Sequence, residues 1–327
     1  MKIFVNLLAI LSLGLSTTAA DWATFGGKAG PGQGKHIVLL AGDEEYRSEE
    51  GLPMLARILA QRHGFNCTVL FSVNPADGTI DPLNLTNVPG MAQLDHADLV
   101  ICQFRFRELP DADMEHLANY LQAGKPIIAL RTATHSFSYE KNKQSPFVSW
   151  DWRSKDWPGG FGQQVLGETW INHHGDHGKE STRALIDGMN AGHPVLRGVK
   201  DIWGLTDVYS VVHVTPADTV LLHGLSLRGM TPDSPLSYDK SLMPITWLHD
   251  HAWPGGKTSR ALTSTIGAAV DLQSEDLRRL LVNACYWFTG LEVPAKADVT
   301  CVGDYKPSYF GFGKFIKNVK PADLETR

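Results

Sequence analysis

The hydrophobic pattern of this chain is that of short apolar runs, each of which breaks abruptly into polar residues. His36-Ile37-Val38-Leu39-Leu40-Ala41, residues 67–71, Asp98-Leu99-Val100-Ile101-Cys102 and Lys125-Pro126-Ile127-Ile128-Ala129-Leu130 are continuous rather than alternating, the mark of strands buried on both faces. Between the first two, Leu52, Leu55, Ile58 and Leu59 recur at helical spacing and predict a helix over residues 51–63, ended by Gly64. A second helix is predicted over residues 111–122, with acids in its first turn and Gly124 after it. Strand, helix, strand repeated in this way predicts an α/β fold with a doubly wound, mostly parallel sheet and helices on both faces.

The second half is looser. Short strands are expected at residues 184–186, 219–223, 243–248 and 260–266, and an amphipathic helix at 274–289 carries Leu277, Leu280, Leu281, Ala284 and Phe288. Residues 21–34 are glycine-rich and predict a linker, and 35–292 form one domain. The aromatic tail, residues 293–327, has no periodicity and is expected to wrap that domain.

Residues 1–20 have Lys2, an apolar run to Leu15 and small residues up to Ala20, which predicts a secretory signal peptide and an exported, periplasmic or extracellular protein. No other stretch is long and apolar enough for a membrane span. The 327 residues carry 30 basic and 35 acidic side chains with no basic block, which argues against nucleic acid as a partner. Of the four cysteines, Cys67 and Cys102 lie in strand-like runs as small buried hydrophobes, whereas Cys285 and Cys301 are placed to close a staple.

Candidate chemistry gathers where the strands end. The first delivers Glu44, Glu45, Tyr46 and Arg47, the third Arg105 and Arg107, the fourth Arg131 and His135. In a parallel sheet these ends lie on one edge, so the groups are expected to converge on a crevice. Arginine grips oxyanions and polarised carbonyl oxygens there, and histidine moves protons. The plain alternatives are an Arg131 paired with a surface acid, a His135 capping a turn, and first-turn roles for Glu44, Glu49 and Glu50. His173, His174 and His177 form a cluster that suits either a metal or a polar loop. Adjacent side chains in an extended segment point oppositely, so one of His173 and His174 at most joins His177. Trp150, Trp152 and Trp157 suit a wall for a sugar ring or the packing of an insertion. His249-Asp250-His251 is expected at the surface beside a Pro-Gly-Gly turn. No GxGxxG or Gly-x-Ser-x-Gly element occurs.

The turn Ala41-Gly42-Asp43-Glu44-Glu45-Tyr46-Arg47, the stretch 124–137, His173-His174-Gly175, His193-Pro194-Val195 and Asp207-Val208-Tyr209 together resemble the trehalose-utilisation (ThuA-like) family over residues 35–292. The likeness is to its exported branch. It implies a flavodoxin-like, class I glutamine amidotransferase-like fold and a role in carbohydrate metabolism, often beside oxidoreductases that make 3-keto sugars. Glutaminase activity does not transfer, because Arg131-Thr132 stands where the elbow cysteine would be. Two further departures are Arg131 where family members often carry histidine, and Gly267-Ala268 in place of a Gly-His.

On this reading the protein is a hydrolase or lyase for a glycoside or 3-keto-glycoside. Its expected catalytic groups are Arg131, His135, Glu45 and Asp207. Tyr46, Arg105, Arg107, His173, His174, Trp150 and Trp152 are expected to bind a small carbohydrate, with no cofactor required. A non-catalytic sugar-binding or scaffold protein is the alternative, and a metal-dependent hydrolase centred on His173 and His174 a third.

Overall fold

The structure is a computed structural model and describes residues 21–325; the leader expected at residues 1–20 lies outside the described residues. Among the described residues, ten strands form a single sheet and no helix is long and apolar enough to cross a membrane. In chain order the elements are β1 (Trp22–Phe25), β2 (His36–Gly42), α1 (Ser48–His63), β3 (Asn66–Phe71), β4 (Leu99–Phe104), α2 (Asp111–Gln122), β5 (Ile127–Leu130), α3 (Gly160–Leu166), β6 (Ser181–Ile186), β7 (Trp203–Gly204), β8 (Thr219–Leu227), β9 (Met243–Ala252), β10 (Thr258–Ser264) and α4 (Glu275–Phe288).

The strand order is β1-β3-β2-β4-β5-β10-β9-β8-β6-β7. Here the expectation of a doubly wound, mostly parallel, flavodoxin-like or amidotransferase-like sheet is overturned. Only the four central pairings are parallel; the other five are antiparallel, so the sheet is mixed and predominantly antiparallel. The reason is connection length and content. A parallel neighbour needs a crossover of about a dozen residues, usually a helix. Residues 253–257 alone join β9 to β10, a hairpin that forces reversal. No α-helix separates any two strands from β6 to β10. The linker expected at 21–34 also contributes structure: β1 pairs antiparallel with β3 at the sheet edge.

Alternation along the central strands divides the core. Ile37 and Leu39 pack with residues of α1 and α4, whereas Val38 and Leu40 face those of α2 and α3. Helix α1 starts three residues earlier than predicted, after Arg47 in the left-handed conformation, and stops at Gly64, whose φ of 82° suits a glycine. Ser274, expected as the first residue of the last helix, instead caps α4 by accepting from the Leu277 amide. No cysteine is paired: Cys285 is buried and Cys301 half-buried, and the expected staple is not formed. His249-Asp250-His251 lies at the end of β9, beside the Pro-Gly-Gly turn as expected, with Asp250 exposed and His249 half-buried, its Nδ1 2.6 Å from Asp218. The tail returns across the molecule, where the Tyr305 hydroxyl donates to the Ala269 carbonyl and Glu325 accepts from the Thr24 amide.

Candidate functional site

Three neighbouring parallel strands, β2, β4 and β5, finish at one rim, and each is followed by a non-glycine residue at positive φ. These are Arg47 (61°), Phe106 (54°) and Arg131 (45°). Such backbone costs about 1–3 kcal/mol per residue and persists where the surroundings over-determine it. At β2 the determinant is Asp43, fully buried, which accepts from the amides of Glu45 (2.7 Å) and Tyr46 (3.1 Å) and from the Thr132 hydroxyl (3.1 Å). Burial, reinforced by Glu44, pushes the Asp43 carboxyl up to about 6. At β5 the determinant is α3. Gly162 lies so close to the turn that a Cβ there would stand 2.0 Å from the Thr134 carbonyl oxygen, so only glycine lets the helix support residues 131–135.

Arg131 is the pivot. Its guanidinium is fully buried, donates to the carbonyls of Asp207 (2.6 Å) and Thr265 (2.8 Å), and meets the Asp207 carboxylate at 2.9 Å. It lies over the Tyr209 ring at 3.7 Å and donates to the Tyr46 hydroxyl at 3.2 Å. The acid that pairs it is thus a buried one 76 residues away, not a surface group. Asp207 then accepts two imidazoles, His173 Nδ1 at 2.7 Å and His177 Nδ1 at 3.0 Å. Although burial pushes the carboxyl up, Arg131 and those two rings hold it well below the usual carboxylate range. His177 Nε2 faces Glu45 at 3.4 Å, and hydrogen bonds to Asp207 and Glu45 raise His177 to about 9. A carboxylate has no proton to give, so Asp207 fixes Nδ1 as the protonated nitrogen of both rings.

Accessibility sorts the expected groups. The side chains of His173 and His177 are 34% and 36% exposed, whereas Arg131, Asp207 and His135 are buried. His135 sits on the same rim, among the rings of Phe106 (5.1 Å), Trp170 (5.6 Å) and Tyr209 (6.4 Å). Burial, then Arg105 and Arg131, push it well below the ordinary imidazole value, so it stays neutral. Arg105 pairs with Glu44 and lies 3.8 Å from Glu45. Arg107 is fully buried, bonded to Ser72, the carbonyls of Pro82 and Asn84, and Glu44, and serves as a structural clamp. Glu44 stands ahead of α1 in that clamp rather than in its first turn.

The structure does not bring every expected residue together. His174 turns away to the Ser241 carbonyl (2.9 Å). Trp150 packs in the interior against Phe161 (5.4 Å), Phe137 and Trp253. Trp152 does reach the rim, at 5.7 Å from Phe106 and 5.9 Å from Trp170. Sequence reasoning missed Trp170, Tyr209 and Asp271 as parts of this region. Buried Asp271 accepts from Thr206 and from the amides of Gly267 and Ala268 (both 3.0 Å), tying the Asp207 segment to the turn after β10. Its signal was a lone acid two residues after an Ala-Ala pair, too weak to single out. The tail also joins the site: Phe310 packs on Tyr46 (5.5 Å) and His177 (5.4 Å), and the Gly311 amide donates to the Glu45 carbonyl.

One ligand atom from each of His173, His177 and Asp207 lies within 4.8 Å of the others, so these three could hold a metal ion. The set has two nitrogens and one oxygen, and Glu45 adds a second carboxylate beside His177.

No protein-family model matches the chain, and no curated protein matches it in sequence. Solved structures do. One, from Parabacteroides merdae and described as ThuA-like, is 14% identical with a TM-score of 0.52, over 80% of this chain and 92% of that one. Another ThuA-like protein, from Bacteroides uniformis, is 13% identical with a TM-score of 0.48, over 80% and 93%. At 14% identity the first likeness speaks to architecture alone: the chain has the fold of a ThuA-like protein.

Proposed function

We propose that this is an exported carbohydrate-processing enzyme, a lyase or hydrolase that acts on a 3-keto-glycoside through the His173–Asp207–His177 array. The observation that carries the reading is one buried carboxylate, fixed by Arg131, that orients two accessible imidazoles at a rim lined by aromatic rings. The substrate class is supported by the resemblance of the rim motifs to the ThuA-like family; the Parabacteroides merdae protein bears on the architecture only.

The two rings take different roles. His173, its Nδ1–H given to Asp207, offers the Nε2 lone pair as general base toward the acidified C–H beside the ketone. The electron pair moves onto the carbonyl oxygen, and the His177 imidazolium, held protonated by Asp207 and Glu45, stabilises that enolate. Collapse of the enolate breaks the C–O bond to the aglycone, which takes its proton from His177. Elimination leaves an enone, and addition of water completes hydrolysis. Arg131 and His135, being buried, act by fixing Asp207 and packing the rim rather than by touching substrate.

Release of p-nitrophenol from its 3-keto-glucoside tests this directly. His173→Gln and His177→Gln are each expected to lower kcat by about 100-fold or more, the scale of one general acid or base. Turnover unchanged in both variants ends the assignment.

A second reading rests on the ligand geometry of the same three residues, which suits a divalent ion of the zinc class. The ion would polarise the ketone oxygen, and Glu45 would serve as the base. Elemental analysis of purified protein separates the two, since full activity in metal-free protein removes this alternative.

A further inference from the structure

A row of flat side chains runs along the rim from the tryptophan-rich insertion to the tail. Arg153 lies over the Trp152 ring at 5.4 Å, and Trp152 is 5.7 Å from Phe106. Arg105 in turn lies over both Phe106 (4.3 Å) and Phe312 of the tail (5.0 Å), joining them by cation–π attraction. Two members of the row lead to the imidazoles. Trp152 touches Trp170 (5.9 Å), which is 5.8 Å from His173, and Arg105 is 3.8 Å from Glu45, which faces His177 at 3.4 Å. The row is reached from solvent: Phe312 is 57% exposed even with Arg105 beside it, and Trp152 and Phe106 are half-buried. Its middle is fixed, since Phe106 is one of the three rim residues at positive φ, the kind of strained backbone that clusters at ligand sites.

The polar groups beside the row decide what can lie on it. A second sugar would need carboxylates for its hydroxyls, but the acids there are already engaged within the protein. Glu44 accepts from Arg105 and Arg107, Glu140 from Arg153, and Asp151 from the amides of Tyr139 and Arg153 (both 2.8 Å). Each guanidinium of the row is likewise matched by an acid, Arg105 by Glu44 and Arg153 by Glu140, so no anionic ligand is called for. What remains on offer is flat, polarisable surface, which suits another flat ring. We propose that this row is the aglycone subsite of the enzyme, and that its substrates are glycosides of an arene, the aromatic ring stacking along the row while the sugar meets His173 and His177. The inference rests on the carbohydrate reading above and narrows it. It makes Trp152 and Phe312 specificity-determining residues at the two ends of the three rings.

Isothermal titration of the full chain with phenyl glucoside, in both anomers, tests the proposal, with methyl and cyclohexyl glucosides as controls. None of these carries the ketone, so the elimination above cannot turn them over and binding is read alone. One phenyl anomer is expected to bind at one site per chain, about fivefold or more tighter than its methyl and cyclohexyl counterparts, the scale of an aromatic stacking contact. The double variant Trp152→Leu, Phe312→Leu keeps apolar bulk and removes both flat faces. It is expected to erase that preference while the methyl glucoside binds as before. If the double variant does not fold, Phe312→Leu, at an exposed position, decides alone, with a loss of about threefold or more expected. Absence of saturable phenyl glucoside binding, cyclohexyl glucoside binding as tightly as phenyl, or a preference undiminished in the folded variant would each overturn the subsite. The two readings fail separately. Turnover unchanged in His173→Gln and His177→Gln, with the phenyl preference intact, ends the elimination mechanism and leaves the subsite standing. Turnover of 3-keto-glucosides without that preference ends the subsite alone.

Discussion

Replacing Asp207 by asparagine tests the centre of the structure most directly. The Asp207 side chain is fully buried and accepts three donors, Arg131 at 2.9 Å, His173 at 2.7 Å and His177 at 3.0 Å. Asparagine keeps the shape, removes the charge and turns one acceptor into a donor, so at least one of those three meets the wrong partner. Above all, it leaves the guanidinium of Arg131 buried with no opposite charge on the side chain beside it. Breaking a buried ion pair from one side costs about 3–5 kcal/mol, a large share of the ~5–15 kcal/mol that holds a protein folded. Arg131→Met removes the stranded charge, so the double variant Asp207→Asn, Arg131→Met should be more stable than the sum of the singles by roughly 2–3 kcal/mol. Urea unfolding at pH 7, followed by tryptophan fluorescence and circular dichroism, gives all four corners of the cycle. A loss below about 1 kcal/mol for Asp207→Asn, or strict additivity, refutes the claim that this pair organises the rim.

Other outcomes follow from the same contacts. His177 has its folded value raised to about 9 from 6.5, so its contribution is complete below pH 6.5 and disappears as pH rises through 9; melting temperature should fall over that window, and less so in His177→Gln. Glu49, a carboxyl raised to about 8, binds its proton more tightly when folded, so stability should decline from pH 4.5 to 8 in the native chain and decline less in Glu49→Gln, read by denaturant midpoints across pH. Gly162→Ala forces a Cβ against the Thr134 carbonyl, and a loss of about 2 kcal/mol or more is expected, with changed shifts for His135 and no comparable effect at exposed Gly188. Phe310→Ala removes a buried ring from Tyr46 and His177; a cost of about 3 kcal/mol and faster hydrogen exchange of the Gly311 amide are expected, and unchanged exchange would show that the tail is held elsewhere.

Much of this architecture was legible from spacing alone. The apolar runs at β2, β4 and β5, the 3.6-residue stripes of α1 and α4, and the first-turn acids and following glycine of α2 are local signals, each contained in a short piece of chain. The rim itself was also legible, since polar groups that follow consecutive parallel strands must emerge at one edge, and Glu45, Tyr46, Arg105 and Arg131 do. The mixed sheet was not foreseen, because continuous short runs in the second half fit parallel or antiparallel neighbours equally well. Trp150 and Trp152, two residues apart, illustrate the same limit: one is interior and the other at the rim, a choice made by whichever face the insertion folds down.

Side-chain periodicity along short pieces of chain suffices for most strands and helices, though not for β1, β7 or α3, and it sets cations and imidazoles at the strand ends. Which partners those groups meet is set by the assembled fold: Arg131 reaches Asp207, and His173 and His177, rather than His174, share that carboxylate. It also placed Phe310 of the tail against His177, closing a contact across more than a hundred residues. A buried charge takes whichever partner the fold delivers within about 3 Å, and that delivery depends on strand order and chain closure, which no local pattern encodes.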